Sequence, residues 1–188
     1  MLIRRKRAGP GNLTNPCATP GLTRVTSMVI LGVTISNFLG FENHIHRICC
    51  QARQSLYALR TLVAHGLRGP LLFDVVRATT LARMLYASPV WWGFAGQCER
   101  NRLQTLIRRL IRYHYLPEDS PSFEQLCLKA DSRLFSAVLT DKGHVLHALL
   151  PPVKTSVYSL RPRAHDRVIP PADSLMRRTY ITRMIYRT

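Results

Sequence analysis

The spacing of apolar residues changes once along this chain, and that change constrains the fold more than any other feature. Ahead of residue 42 the apolar residues are β-branched and partly alternating, in Leu22-Thr-Arg-Val-Thr26 and Met28-Val-Ile-Leu-Gly-Val-Thr-Ile-Ser36. Alternation places successive side chains on opposite faces of a strand, and two such runs in close succession predict a β-hairpin over residues 22–36. Gly32 falls inside the second run, where a glycine marks a bulge or a close approach of the backbone to something else. From Glu42 onward the period is helical. Ile45, Cys49, Ala52, Leu56, Leu59 and Val63 recur three and four residues apart, with Ile48 and Leu62 alongside, forming one apolar stripe.

Local signals divide the remaining chain. Gly66 suits the C-terminal end of the first helix, and Pro70 the first turn of a second, predicted over 71–87 and stopped by Ser88-Pro89. Trp91-Trp92-Gly93 forms a bulky corner. A third helix is predicted from Cys98 to Tyr115, with Leu103, Leu106, Ile107, Leu110 and Ile111 on one side. Ser120-Pro121 reads as the cap and first position of a fourth, over 121–139, with a shorter helix before Pro151-Pro152. Residues 174–187 fit either a short helix or a strand. The expected class is mainly α: a basic segment over 1–21, the hairpin over 22–36, a bundle of four to five helices over 41–150, and an irregular tail over 151–188.

Charge narrows the function. Lys and Arg number 27 against 10 Asp and Glu, a net charge of +17. Such an excess repels itself unless a polyanion offsets it, and nucleic acid is the commonest polyanion. Arginine dominates, and its planar fork pairs bidentately with phosphate. Residues 100–117 contain five Arg and no acid. Arg102, Arg108, Arg109 and Arg112 gather on the side of the third helix opposite its apolar stripe. On the first helix His46, Arg53 and Arg60 recur every seven residues beside the apolar stripe. Rows of this kind suit a phosphate track, which positions a duplex without reading its sequence; an ordinary solvated helix face is the alternative.

Catalytic constellations are missing. Two-metal phosphoryl transfer needs converging carboxylates, and the one adjacent acidic pair, Glu118-Asp119, sits in a turn. His44, His46 and Cys49 invite a metal reading, but helical geometry turns 44 and 46 to different faces and no second Cys/His pair follows. There is no nucleophile elbow and no glycine-rich phosphate loop, so no catalytic residue, metal or cofactor is expected. Five cysteines, at 17, 49, 50, 98 and 127, show no disulfide spacing and suit a reducing compartment. No apolar run reaches membrane-spanning length. The basic start lacks a secretory apolar region, and Gly9-Pro10-Gly11, Pro16 and Pro20 disfavour an amphipathic transit peptide. The expectation is an intracellular protein, nuclear or cytoplasmic, neither secreted nor membrane-bound.

Six segments, in order, carry a resemblance. They are the 21–36 run with Leu31-Gly32-Val33; Phe41-Glu-Asn-His-Ile-His-Arg-Ile-Cys-Cys-Gln-Ala52 with Leu56-Tyr-Ala-Leu-Arg60; Leu85-Tyr-Ala-Ser-Pro-Val-Trp91; Leu103-Gln-Thr-Leu-Ile-Arg-Arg-Leu-Ile-Arg112; Leu160-Arg-Pro-Arg-Ala-His165; and Arg183-Met-Ile-Tyr186. Together they resemble the part of LINE-type (non-LTR) retrotransposon reverse transcriptases that follows the catalytic palm. The resemblance spans residues 21–187. It implies a primer-grip-like hairpin with Leu31, Gly32 and Val33 near a primer terminus, and a thumb-like helical region. The parent activity it implies is RNA-directed DNA polymerisation. That family's Ala-Asp-Asp loop does not occur in this chain, and Met1-Leu-Ile-Arg-Arg-Lys-Arg7 looks like the stretch just after the palm. The resemblance therefore implies a noncatalytic piece that grips an RNA–DNA hybrid or DNA duplex without sequence preference. It also implies exposed apolar surface, on the hairpin and one side of the first helix, for a palm or another protein. The alternatives are a helical protein-interaction module and a remnant that binds no nucleic acid.

Overall fold

The computed structural model describes residues 21, 23, 25–154 and 165–187. The basic start, Cys17 and most of the Leu160–His165 segment lie outside the described residues. Within them the protein is mainly helical, with one antiparallel hairpin ahead of the helices.

The hairpin is shorter than expected and turns elsewhere. Strand β1 is Ser27–Ile30 and β2 is Val33–Ser36, with Ile30 opposite Val33 and Ser27 opposite Ser36. Both strands come from the run that reads as one strand in the sequence, and Gly32 is a turn residue rather than a bulge. Leu31 and Gly32 have φ of 46° and 80°. A two-residue turn with both φ positive matches the twist of the strands it joins, and glycine meets the second position without a Cβ penalty. Among the described residues of 21–26, none joins the ladder.

Helix α1, Glu42–Ala64, follows the apolar stripe as expected: Ile45, Ile48, Cys49, Ala52 and Leu59 are buried, and Leu56 and Val63 pack beside them. It closes at Gly66, where the Leu67 N–H reaches back to the Leu62 carbonyl at 3.1 Å. Helix α2, Pro70–Val76, starts on its proline and runs through a π-helical turn, Arg77–Leu81, into α3, Ala82–Leu85. Ser88-Pro89 does not simply stop this helix. Ala87 takes φ of 50° and the proline opens a short helix α4, Ser88–Trp91.

Helix α5, Gln97–Arg112, buries Leu103, Leu106, Ile107 and Leu110 and ends before Tyr115. Helix α6, Phe123–Thr140, is capped by Ser122 rather than Ser120. The Ser122 hydroxyl accepts from the Gln125 N–H at 3.2 Å, and the Gln125 side chain accepts from the Ser122 N–H at 2.8 Å. That reciprocal pair satisfies two otherwise unpaired donors. The short helix expected before Pro151 is a 3₁₀ turn, His147–Leu149.

One core joins these parts. Helices α1 and α5 pack together, with the hairpin on α1 and α6 on α5. Trp91, Trp92 and Phe123 fill the centre, Trp91 stacking on Phe123 with centroids 6.3 Å apart. The buried indole N–H of Trp91 donates to the Tyr86 carbonyl at 3.0 Å.

The tail carries more order than an irregular segment. Val153 and Arg167 form an isolated bridge, and residues 180–186 form a helix, α7, Tyr180–Tyr186. Met184 and Ile185 bury against Phe135 of α6 in a second apolar cluster. The Trp91-Trp92-Gly93 corner explains its glycine: a Cβ there would overlap the Arg178 carbonyl and the Arg183 guanidinium.

Exposed apolar residues occur on the hairpin and also elsewhere, at Leu71, Val145 and Leu149 among others. Met28, Val29, Ile30 and Leu31 are exposed, Leu31 at 86%. The apolar stripe of α1 is covered within the fold, leaving Tyr57 and Leu62 as its exposed large apolar residues.

Candidate nucleic-acid interface

The amphipathic pattern of α5 dictates where its arginines go. Its apolar residues point into the core, so residues on the opposite arc must face solvent. Arg102, Arg108, Arg109 and Arg112 are all exposed. Glu99, in the first turn, is the one acid of the helix. Among the described residues, none of the four forms an ion pair. The Arg112 guanidinium lies 5.1 Å from the Tyr113 ring centroid and donates to its hydroxyl at 3.2 Å, which extends the helix on a polar edge. Arg100 is different. It sits 4.5 Å over the Trp92 ring and 3.7 Å from Glu124, holding α5 to α6, and does not join the open face.

Arg53 and Arg60 on α1 are also exposed and without ion pairs among the described residues. The buried Cys49 thiol links the two helices. Burial pushes it up from its ordinary range, and the Arg53 and Arg102 guanidinium groups both oppose that shift. One charge from each helix thus bears on a single sulfur, and α1 and α5 pack against each other. His46 turns to solvent and contacts Cys50 at 3.8 Å instead.

The three hairpin residues separate. Leu31 projects into solvent, Gly32 completes the turn, and Val33 is buried in the core. Both turn carbonyls are tied down: the Tyr86 hydroxyl donates to the Leu31 carbonyl at 2.9 Å, and the Arg47 guanidinium donates to that of Gly32. The hairpin tip is therefore fixed to α1 and to the end of α3 rather than free-standing.

That clamp closes one wall of a cavity that no sequence motif marks. About 430 Å³ in volume, it is lined by Gly32, His44, Arg47, Gln51, Arg83 and Tyr86 with the π-helical turn. Its residues come from three separated segments, so no local spacing announces them. The two histidines that invite a metal reading part company: His44 is buried, whereas His46 is exposed. Among the described residues no three His, Cys, Asp or Glu side chains converge as a metal site. Among them, too, no helix is long and apolar enough to cross a membrane.

Chemically, the open α5 face offers guanidinium donors on a rigid scaffold, while its amide side chains are engaged within the fold: Gln97 donates to Asn101 at 3.0 Å, and Gln104 accepts from the Phe123 N–H at 2.8 Å. It can track phosphates but has little means to discriminate sequence. No family model, curated protein or solved structure matches this chain.

Proposed function

We propose that this chain is a noncatalytic nucleic-acid grip that holds an RNA–DNA hybrid or a DNA duplex through its phosphates, without sequence preference. The observation that carries this reading is the solvent face of α5, where Arg102, Arg108, Arg109 and Arg112 stand exposed and free of ion pairs among the described residues. Arg53 and Arg60 form a second exposed row on α1, the helix that packs against α5. Phosphate contacts supply most of the free energy of nonspecific binding, and each contact releases condensed counterions. The resemblance to the post-palm part of LINE-type reverse transcriptases supports the same reading. A hairpin tip with an exposed Leu31, clamped beside a helical bundle, is the arrangement a primer-grip-like role requires.

A second reading, a protein-interaction module, rests on the hairpin itself. Its outer strand β1 exposes Met28, Val29 and Ile30 and, among the described residues, has one unpaired edge, the kind of surface to which another strand can add.

The discriminating experiment is fluorescence anisotropy with unrelated duplexes and hybrids across a salt series. Neutralising about four phosphates gives log K against log salt a slope of roughly −3.6 on B-form DNA. Changing the four α5 arginines to Gln should remove most of that slope. An unchanged slope means the face is merely solvated, and tight binding to one sequence alone would contradict a phosphate grip.

A further inference from the structure

The cavity beneath the hairpin has the chemistry of a binding site that the phosphate track does not use. Its walls are the hairpin turn at Gly32, the His44, Arg47 and Gln51 flank of α1, and Ala78, Thr79, Ala82, Arg83 and Tyr86 beyond. No acid lines it. Arg47 approaches from α1 and Arg83 from α3. Ligand cavities run to about 300–1,000 Å³, and 430 Å³ falls in that range. The π-helical turn Arg77–Leu81 forms part of the wall. Such turns are rare and recur at functional sites.

The histidine supplies the second observation. His44 is 2% exposed, and its Nδ1 accepts from the Thr34 N–H at 3.4 Å. In neutral imidazole an accepting Nδ1 leaves the proton on Nε2. Burial pushes this histidine down from its ordinary value and Arg47 pushes it further, so it stays neutral near pH 7. Its Nε2–H is buried and has no hydrogen-bond partner among the described residues. A buried donor left unmatched is costly. Arg47 uses one nitrogen on the Gly32 carbonyl, leaving other N–H groups of its five for a ligand. Among the described residues, Arg83 is held by a 3.5 Å contact to Ser55 Oγ.

We propose that this cavity binds a phosphate monoester, held by the Arg47 and Arg83 guanidinium groups that line it. Two guanidinium forks without a competing carboxylate favour a dianionic phosphate. The volume exceeds what a bare tetrahedral anion fills, leaving space against Ala78, Ala82 and the Tyr86 ring for part of the esterified group. A mononucleotide and the 5′-phosphate end of a nucleic-acid strand present the same chemistry. The site lies on the flank of α1 away from Arg53 and Arg60, so it stands or falls apart from the phosphate track.

The test titrates the full chain, at fixed salt, with AMP, adenosine and inorganic phosphate, and with one short oligonucleotide bearing either a 5′-phosphate or a 5′-hydroxyl. Calorimetry gives affinity, and NMR follows the Gly32 amide and the His44 ring. AMP should bind and shift both signals, adenosine should not, and Arg83→Gln should weaken AMP at least about tenfold. The variant with Gln at all four α5 arginines should retain AMP affinity within about twofold. A preference for the 5′-phosphorylated strand would identify a strand end as the source, and equal binding of both strands a free monoester. The absence of any shift at Gly32 and His44 up to millimolar AMP would overturn the proposal. So would equal weakening by Arg83→Gln and by the four α5 changes, which would mark unspecific charge attraction. Should Arg83→Gln fail to fold, the shifts in the unaltered protein decide.

Discussion

Arg183, on the last helix, donates through one nitrogen to both carboxylate oxygens of Asp131, at 3.0 and 2.9 Å, across 52 positions of sequence. The same nitrogen reaches the Pro89 carbonyl at 3.2 Å, so one side chain ties α7 to α6 and to α4. Asp131 is fully buried. Burial pushes its carboxyl up from the ordinary value, and Arg183 opposes that shift by its charge and its hydrogen bonds. Such a pair adds little net stability over apolar residues, yet breaking it from one side strands a charge in the core.

Arg183→Ala should therefore destabilise the fold by about 3–5 kcal/mol at neutral pH. The sign of the pH dependence comes from the raised Asp131 value. The folded state holds the proton more tightly than the unfolded chain, so stability falls as pH rises through the folded-state value and returns as pH drops toward 3.8. Without Arg183 the carboxyl moves further up. The penalty should shrink between about pH 7 and about pH 4.5 as Asp131 takes up its proton. Urea denaturation of both proteins at the two pH values measures it. An equal penalty at both would mean that removing Arg183 leaves the protonation of Asp131 unchanged.

Leu31 sits at φ of 46° with its side chain 86% exposed. Branched apolar residues are costly in that region, and the turn prefers Asn before Gly32. Leu31→Asn should raise stability by about 1 kcal/mol, since little apolar burial is lost. The denaturation midpoint should rise at constant m-value. Strain kept at an exposed tip points to use of that tip, so the same variant should bind duplex more weakly while being more stable. A variant that is more stable and binds unchanged would remove Leu31 from the grip.

The helices are legible in the sequence because burial has a period. The stripe Ile45 to Val63 locates α1, and Leu103 to Leu110 locates α5 and, by opposition, its arginine face. The hairpin is legible as a type but not in its position, because Leu31 is a poor turn former and disguises the turn as strand interior. The cap of α6 is displaced for a similar reason: Pro121 suits a first helical position and so favours Ser120, although the true cap, Ser122, pairs with Gln125. The Asp131–Arg183 pair and the cavity under the hairpin are not legible. Their partners lie tens of residues apart, and only tertiary packing brings them together.

His44 predicts a second pH effect, of opposite sign to that of Asp131. Burial, then Arg47, holds it below 6.5 in the fold. The unfolded chain thus takes up a proton that the native state resists, so this contribution is complete above about pH 6.5 and is lost as pH falls below it. His44→Gln should flatten the decline in stability between about pH 7 and about pH 5. The remaining histidines affect both proteins alike, so the difference between the two curves isolates His44. Parallel curves would show that His44 ionises as freely in the fold as out of it.

Arg53 and Arg60 test whether α1 belongs to the same phosphate track as α5. Arg53 and Arg102 both bear on the Cys49 thiol from helices that pack together, which is the reason to extend the track to Arg53. Arg60 lies two helical turns further along α1, on the same flank. If each contacts one phosphate, Arg53→Gln should lower the magnitude of the salt slope by about 0.9, and the double change with Arg60 by about 1.8. These effects should add to those of the α5 changes, because counterion release counts phosphates rather than helices. Both side chains are exposed and lack ion pairs among the described residues, so stability should stay within about 0.5 kcal/mol. Anisotropy across a salt series, run beside urea denaturation, separates binding from folding. A slope that responds to Arg53 but not to Arg60 would end the track near the middle of α1. A slope that responds to neither would confine the grip to α5.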